Sequence, residues 1–198
     1  MFLKIKTLIY RILLKFRGAQ IGQNFKCYNL PIIESDNYFI DLKIGKNVTL
    51  RKNCEFFFRK KGKIILDDNI RIDSSVRFLS SNASYLKVNS DTNIGKNTII
   101  NAGANIKIGK RCLISANCII QSSSHIYKNK KKPIKKQGYI HREVFIEDDV
   151  WIGGNSVILN GVRLRKGTVI GALSKIGKST KEYGIYSNES LLKIKTRK

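Results

Sequence analysis

Aliphatic and polar positions alternate on a six-residue period from about Ile44 to Ile170. In the stretch 108–125, an aliphatic residue opens each hexad, a turn-forming residue tends to stand fourth and a small residue fifth. The same frame is set elsewhere by Ile44, Leu50, Leu66, Ile72, Val88, Ile94, Ile100, Ile146, Ile152, Ile158 and Leu164. A fixed hexapeptide period of this kind predicts an all-β solenoid, a parallel β-helix.

The fourth position of the hexad predicts the corners of that solenoid. Asn, Asp and Gly tolerate positive φ better than other residues, so they suit a sharp change of direction. They occupy the fourth position at Asn47, Asn53, Asn69, Asp91, Asn97, Gly103, Asn117, Asp149, Asn155, Gly161 and Gly167. Three hexads then close one triangular coil, with the aliphatic residues stacked inside.

A longer repeat locates one insertion. Aliphatic-X-aliphatic units recur mostly every 20 to 23 residues, but Ile108 and Ile146 stand 38 residues apart. Extra residues in a repeat protein go into loops, and long loops on rigid scaffolds often carry function. We therefore predict an inserted loop at about 124–143. An antiparallel sandwich of short strands is disfavoured, because its turns would not keep one six-residue frame.

Residues 1–18 predict an amphipathic basic helix, in which Lys and Arg interrupt the apolar positions too often for a secretory signal or a membrane span. It would cap the open end of the solenoid, or lie on the cytoplasmic face of a membrane. Both interpretations remain open at this stage. The predicted organisation is a helix at 1–18, a β-helix domain at 19–178 and a basic tail at 179–198.

The formal net charge of +24 favours anionic partners such as coenzyme phosphates, lipid-linked glycans or lipid headgroups. A sequence rich in Lys, Ile and Asn also arises from an AT-rich genome without selection for binding. Aromatic residues do not alternate with the basic ones as a base-stacking surface requires, which disfavours nucleic acid as a partner.

The four cysteines are Cys27, Cys54, Cys112 and Cys118, and none forms a CxxC pair. Three of them occupy small-residue corner positions. They are expected to be reduced core residues of a cytoplasmic protein, and no zinc cluster is apparent.

The chain contains two histidines, His125 and His141, as candidates for acid–base chemistry near neutral pH. His125 ends the hexad 120–125, where the inserted loop leaves the coil. A side chain held there by a rigid strand and facing the loop is well placed to act as a general base. His141 is expected to be structural or exposed to solvent.

The segments 108–125, 149–162 and 169–174 resemble bacterial hexapeptide acyltransferases, above all the sugar O-acetyltransferases that include the galactoside, maltose and polysaccharide enzymes. The most specific tract runs from Asp149 to Ser174 and contains the sequence Trp-Ile-Gly-Gly-Asn. The resemblance implies a left-handed β-helix that forms a homotrimer. It also implies that acetyl-CoA and a saccharide acceptor bind between neighbouring subunits, with no metal.

The resemblance also assigns roles to particular residues. His125 matches the catalytic histidine of the family, which takes the proton from the acceptor hydroxyl during direct attack on the thioester. The residues that match positions near the acyl donor are Trp151, Gly154, Ala172, Ser174 and Lys178.

Two departures from the family pattern stand out. Many relatives place an acidic residue shortly before the catalytic histidine, whereas this chain has Gln121-Ser122-Ser123-Ser124. Asn101, one coil earlier, is therefore a candidate for orienting His125. The usual C-terminal Gly-x-Pro-Ala appears here as Asn188-Glu189-Ser190-Leu191.

We expect an acetyl-CoA-dependent O-acetyltransferase of polysaccharide biosynthesis, acting in the cytoplasm or at the inner face of the membrane on a bacterial surface glycan or its precursor. An amino-sugar N-acetyltransferase and a non-catalytic β-helix binding protein remain alternatives. A zinc hydratase on the same scaffold would need three histidine ligands and is disfavoured. The Lys-rich loop is either a basic lid over the site or a solvated excursion.

Overall fold

The computed structural model describes residues 2–187 and 195–196. Helix α1 (Phe2–Phe16) precedes a solenoid of about seven coils, and each coil gives one strand to each of three parallel sheets. The architecture matches the left-handed β-helix implied by the resemblance, so the predicted fold class is confirmed.

The strands are short, and they follow one another around the coils. Coils one to four contain β1 (Gln20–Ile21), β2 (Lys26–Cys27), β3 (Ile32–Ser35), β4 (Asp41–Ile44), β5 (Thr49–Leu50), β6 (Glu55–Phe58), β7 (Lys63–Leu66), β8 (Arg71–Ile72), β9 (Arg77–Ser80), β10 (Tyr85–Val88), β11 (Asn93–Ile94) and β12 (Ile99–Ala102). Coil five contains β13 (Ile106–Ile108), β14 (Leu113–Ile114) and β15 (Ile119–Gln121), followed by β16 (Ser123–His125), the 3-10 helix η1 (Ile134–Lys136) and β17 (Tyr139–His141). The remaining strands are β18 (Val144–Ile146), β19 (Trp151–Ile152), β20 (Val157–Ile158), β21 (Arg163–Leu164), β22 (Val169–Ile170), β23 (Lys175–Ile176), β24 (Gly184–Tyr186) and β25 (Lys195–Thr196).

The three sheets form the sides of the prism and are numbered as faces. Face 1 contains β1, β4, β7, β10, β13, β18 and β21; face 2 contains β2, β5, β8, β11, β14, β19, β22, β24 and β25; and face 3 contains β3, β6, β9, β12, β15, β20 and β23. Corner 2–3 joins faces 2 and 3, and corner 3–1 joins face 3 to face 1 of the next coil.

The predicted hydrophobic frame forms the core. Ile44 lies in register with Leu66, and Leu66 with Val88, so equivalent side chains stack from coil to coil. Every frame residue named above is buried. Phe56 and Phe78 stack in the same way, with ring centroids 5.1 Å apart. Burial of one continuous apolar column is what stabilises coils too thin to fold alone.

The predicted corners adopt left-handed backbone, with φ of 57° at Asn47 and 58° at Asn155. Side-chain amides there join successive coils, since Asn47 Nδ2 donates to Asn69 Oδ1 at 2.8 Å. Gly103 is an exception, because its φ is not in that region. A Cβ on Gly103 would instead collide with Ser123 and His141, so this glycine makes room for the inserted segment.

Helix α1 packs against the first coil. Thr7 Oγ1 donates to the Cys27 carbonyl at 3.2 Å, Arg11 donates to the Ile21 carbonyl at 3.1 Å, and Leu14 is buried. These contacts place α1 over this end of the core, in keeping with the capping interpretation. No helix within the described residues has the length and apolar character needed to cross a bilayer.

The solenoid continues beyond the boundary predicted at residue 178. β24 pairs in parallel with β22, and β25 pairs antiparallel with β24. These strands belong to the segment 179–198 that was expected to be a tail, and they satisfy backbone groups of face 2. The tract Asn188-Glu189-Ser190-Leu191 lies outside the described residues.

Candidate active site

The inserted segment forms an antiparallel hairpin that leaves the solenoid at corner 3–1. In its register Ser123 lies opposite His141, and His125 lies opposite Tyr139. The Ser124 hydroxyl donates to Asn160 Oδ1 at 2.9 Å, which ties the first hairpin strand to the next coil. The base of the hairpin is therefore held by the rigid scaffold.

His125 lies on this hairpin with its side chain exposed. Its ring packs on Tyr139, with centroids 4.2 Å apart and an interplanar angle of 37°. Within the described residues, no hydrogen bond occupies either nitrogen of the His125 imidazole. The ring is thus held by an aromatic contact while its proton-accepting atoms remain accessible to a substrate.

His141 has a different environment on the paired strand. Its Nδ1 lies 2.7 Å from the Ser123 hydroxyl, and its ring stacks on Tyr139 at 5.9 Å between centroids. The pair fits here because residue 103 is glycine. The Ser123 contact at Nδ1 therefore holds the His141 ring in place.

Asn101 lies on the outer side of face 3, in register with Gln121. Its Oδ1 is buried and has no hydrogen-bond partner in the described structure. A buried polar atom without a partner is costly, so such an atom calls for an explanation. No hydrogen bond joins Asn101 to His125 in the described part of the chain, so the predicted orienting contact is not formed within one subunit.

The residues expected near the acyl donor gather mostly at corner 2–3. Trp151 lies on face 2 with half of its surface exposed, and its Nε1 donates to Ser115 Oγ at 3.2 Å. Gly154 and Ala172 follow at the corner in successive coils, where the Leu173 N–H donates to the Gly154 carbonyl at 2.9 Å. Together they form a small-residue strip beside an exposed indole.

Ser174 and Lys178 are placed differently from the other three. Ser174 is 1% exposed, and its backbone N–H donates a hydrogen bond to Ser156 Oγ at 3.3 Å. We interpret its hydroxyl as part of the corner and not as a surface for the donor. Lys178 is exposed just after β23, at corner 3–1 and therefore on the same edge as the His125 hairpin.

Leu173 also belongs to this region, although it is not among the residues predicted to lie near the acyl donor. It is 71% exposed and has a φ of 59°. The left-handed backbone conformation is sterically unfavourable for a bulky L-residue. The equivalent position one coil earlier is Asn155, which tolerates it better. A strained and exposed leucine between Ala172 and Ser174 indicates a contact surface. The signal available in the sequence was the break in the run of Asn residues at this corner.

Trp151 and His125 therefore lie on different parts of the prism. The indole is on face 2, whereas His125 follows face 3 beyond another corner. No contact joins the two within the described residues of one chain. The candidate catalytic and donor groups are brought to two separate edges.

The cysteines are not candidates for nucleophiles. Burial raises the pKa of Cys54 and Cys112 to about 11 and that of Cys27 to about 12, and it also raises the pKa of Cys118. The Cys112 thiol donates to the Glu147 carbonyl of the next coil at 3.2 Å. A neutral, hydrogen-bonded thiol in the core is unreactive. Over the described residues, no group of three His, Cys, Asp or Glu side chains is arranged to hold a metal.

The tip of the hairpin is ordered by its own polar contacts. Gln137 Nε2 donates to the carbonyls of Asn129 and Lys132, and the Asn129 N–H donates to Gln137 Oε1. The exposed lysines at this tip are Lys128, Lys130, Lys131, Lys132, Lys135 and Lys136. They form a concentrated positive charge beyond His125.

Comparison with known proteins identifies the repeats. Residues 143–178 match the family described as bacterial transferase hexapeptide (six repeats), and residues 85–122 match the hexapeptide repeat of succinyl-transferase. A solved hexapeptide-repeat acetyltransferase from Vibrio cholerae, VCA0836, in complex with acetyl-CoA, is 28% identical, with a TM-score of 0.50 over 53% of this chain and 56% of its own. Both stretches of the chain therefore match hexapeptide-repeat families of transferases, in keeping with an acyl-CoA-dependent acyltransferase.

Other solved structures resemble this acyltransferase in fold over most of its length. A variant of AntD, an N-acyltransferase from Bacillus cereus bound to dTDP-4-amino-4,6-dideoxyglucose and coenzyme A, has a TM-score of 0.60 at 18% identity, covering 95% of this chain and 87% of its own. The polysialic-acid-specific acetyltransferase NeuO has a TM-score of 0.51 at 19% identity, covering 90% and 85%. Comparison with curated proteins finds no match.

Proposed function

We propose that this acyltransferase transfers an acetyl group from acetyl-CoA to a hydroxyl of a bacterial surface glycan or its precursor, with His125 as general base. The observation that carries this proposal is the placement of His125. It is exposed on a hairpin anchored to the solenoid, it packs on Tyr139, and no group among the described residues hydrogen-bonds its nitrogens.

In the proposed reaction, an imidazole nitrogen of His125 accepts the hydroxyl proton as the oxygen attacks the thioester carbonyl carbon. The new C–O bond forms, and the C–S bond then breaks. The leaving CoA thiolate takes up the proton from the imidazolium, which restores the neutral base. Because the attack is direct, no cysteine or serine carries the acyl group, in keeping with the raised pKa values of the buried thiols.

On the donor side, we propose that the pantetheine arm runs along corner 2–3, past Trp151, Gly154 and Ala172. The half-buried Gly154 and the exposed Ala172 leave the backbone of this corner accessible. Leu173 would add apolar contact area. Lys178 lies at corner 3–1, so it would meet the phosphate groups of a donor held by the neighbouring copy, for which an exposed ammonium is suited.

We propose that the active site is completed between subunits of a homotrimer. The support is the separation of the two edges in one chain, since Trp151 on face 2 cannot approach the His125 hairpin of its own subunit. A neighbouring copy would bring its corner 2–3 to this hairpin. Asn101, whose Oδ1 has no hydrogen-bond partner among the described residues of one chain, is proposed to orient His125 in that assembled site.

The reaction is proposed to take place in the cytoplasm, where acyl-CoA is made. The four cysteines are all free and buried, as expected for a protein of a reducing compartment.

A second candidate, N-acylation of an amino sugar, is favoured by one specific observation. AntD, an N-acyltransferase bound to a nucleotide-linked amino sugar, shares the fold over 95% of this chain. An amine acceptor also needs a base to remove a proton, so His125 would serve either reaction.

The test is release of CoA thiol from acetyl-CoA with a panel of neutral sugars, amino sugars and envelope glycans, comparing the wild type with His125→Ala. The proposal expects release that depends on the acceptor and falls about 10²-fold or more in the variant. Treating the product with hydroxylamine separates the two candidates, since an ester is cleaved and an amide is not. CoA binding without turnover, unaffected by His125→Ala, would instead favour a non-catalytic binding protein.

A further inference from the structure

Helix α1 presents an apolar face that the solenoid does not cover. Its inner side, with Thr7, Tyr10 and Leu14, rests on the first coil. On the other side, Ile5 is 54% exposed and Phe16 is 70% exposed. At roughly 100° per residue, the outward apolar side chains fall within an arc of roughly 140°. They are Ile5, Leu8, Ile9, Ile12, Leu13 and Phe16.

Basic residues border this face on both sides. Lys4 and Lys15 lie along one edge and Lys6 along the other, and all three are exposed. The edge with Lys4 also lines a cleft of about 800 Å³ shared with Arg11 and Lys26. The sequence from Phe2 to Ile33 contains no acidic residue. Among the described residues, no ion pair engages a lysine of α1.

Two exposed aromatic side chains lie beside the C-terminal end of this helix. Arg17 Nε donates to the Tyr38 carbonyl at 2.7 Å, and the Ile40 N–H donates to the Arg17 carbonyl at 2.8 Å. Tyr38 is 66% exposed and Phe39 is 70% exposed, with their rings in edge contact at 5.2 Å. Aromatic residues of this kind concentrate at the interface between a bilayer and water.

A second copy of the chain does not fit this surface well. Two α1 faces packed together would place Lys4, Lys6 and Lys15 against the same lysines, with no acid on the helix to offset them. The acidic residues at this end are already engaged, since Glu34 pairs with Arg59 and Asp41 with Lys63. A bilayer with anionic headgroups would supply the negative charge opposite these lysines, and its acyl chains would accept the apolar face of α1.

We propose that α1 binds the surface of an anionic phospholipid bilayer, with its outward face in the headgroup region and its inner face still on the solenoid. Its 15 residues span about 22 Å, less than the roughly 30 Å of a hydrocarbon core, so the helix lies in the plane of the interface. This binding is independent of the proposed acyl transfer.

The experiment is flotation of the full chain with phosphatidylcholine vesicles that contain or lack phosphatidylglycerol, without acyl donor or acceptor. Wild type should bind the anionic vesicles and lose affinity as salt is raised. Ile5→Glu should weaken binding at least tenfold, because it places a charge in the apolar face. Ile134→Glu is the matched control: Ile134 is 55% exposed, on the distant hairpin, and the change should leave binding unaltered.

A triple variant with Lys4→Gln, Lys6→Gln and Lys15→Gln should lower binding to the anionic vesicles about a hundredfold, at about fivefold for each lysine. Thermal unfolding of every variant verifies the fold, because each altered side chain points away from the core. Absence of wild-type binding, or equal binding by wild type and Ile5→Glu, overturns the proposal. Lipid-free self-association that Ile5→Glu abolishes also overturns it, in favour of a second copy.

Discussion

His125 and His141 stand on paired strands of one hairpin and contact the same tyrosine, yet their hydrogen bonding differs. His141 is fixed by Ser123, whereas no described protein group occupies the nitrogens of His125. At the scale of single residues, the two imidazoles therefore differ in how the ring is held: a hydrogen bond at Nδ1 holds His141, whereas the ring of His125 rests on Tyr139.

We expect His125→Asn to lower kcat for acetyl transfer by about 10²-fold or more, because the proton acceptor is lost. His141→Asn should cost less than about tenfold, since its role is to support the hairpin through Ser123. Steady-state kinetics with a fixed acceptor, alongside CoA binding and oligomer size, check both variants. Equal losses in the two variants would remove the selective assignment to His125.

Leu173→Asn should raise the free energy of unfolding by about 1 kcal/mol, because Asn tolerates the left-handed backbone at φ 59° better than Leu does. The same change should raise the KM for acetyl-CoA through the loss of exposed apolar contact at corner 2–3. Urea unfolding and donor titration measure the two effects. The matched control Asn155→Leu, at φ 58° one coil earlier, should destabilise by a similar amount. An unaltered KM would contradict a donor contact for Leu173.

At the scale of the coil, corner 2–3 must satisfy close packing between coils and also forms the surface proposed to bind the acyl donor. A Cβ on Gly153 would lie 2.5 Å from the Ala172 nitrogen of the next coil, so this corner closes only around a glycine. A Cβ on the neighbouring Gly154 would find its nearest atom, the Ala116 carbonyl oxygen, at 3.4 Å. Packing between coils therefore requires glycine at 153, whereas it leaves room for a side chain at 154.

Gly153→Ala should therefore lower the free energy of unfolding by about 1–3 kcal/mol through overpacking. Gly154→Ala should fold with nearly wild-type stability while weakening CoA binding, because the added methyl group faces the proposed donor strip. Thermal unfolding and CoA titration of the pair check this. Normal CoA affinity in Gly154→Ala would argue against a donor path along this corner.

The buried thiols make the coils sensitive to alkali. Burial raises the pKa of Cys54 and Cys112 from an ordinary 9.0 to about 11, so the unfolded chain ionises first as pH rises. The stabilisation from these neutral thiols is complete below about pH 9 and is lost as pH approaches 11 to 12. Urea midpoints should fall across that range, with a shallower slope for Cys112→Ala. At pH 8 a thiol reagent should label the cysteines only after unfolding; rapid labelling of the native protein would contradict their burial.

At the scale of the whole molecule, the fold brings the candidate groups to two edges of one prism. The His125 hairpin leaves corner 3–1, whereas Trp151, Gly154 and Ala172 line face 2 and corner 2–3. With neighbouring coils roughly 4.8 Å apart, His125 in coil five stands roughly 20 Å above the coil that α1 covers. An acceptor anchored in a bilayer under α1 would have to extend at least that far.

Co-expression of His125→Ala with Trp151→Ala tests whether the site forms between subunits. In mixed trimers, about a quarter of the sites would pair an intact His125 with an intact Trp151 from the next copy, so activity should recover to about that fraction. Each variant expressed alone should remain impaired. Mixed oligomers without recovery would place both groups in one subunit's site and contradict the proposal.

The sequence alone determined the coil, its core and most of its corners. The hexapeptide period fixes which residues point inward, and Ile44, Leu66 and Val88 stack as that period predicts. The Asn and Asp corners followed from backbone sterics, which are local. The insertion, and the place of His125 where it leaves the coil, followed from a break in the same period.

The tertiary structure decided what depends on contacts between distant coils. It placed Ser123 on His141, left Asn101 Oδ1 buried without a partner in the described part of the chain, and gave Gly103 a steric role in place of a positive φ. It extended the sheet to β24 and turned one side of α1 to the core and the other outward. Each of these follows from contacts between segments that are separate in the sequence, a geometry that a local period does not encode.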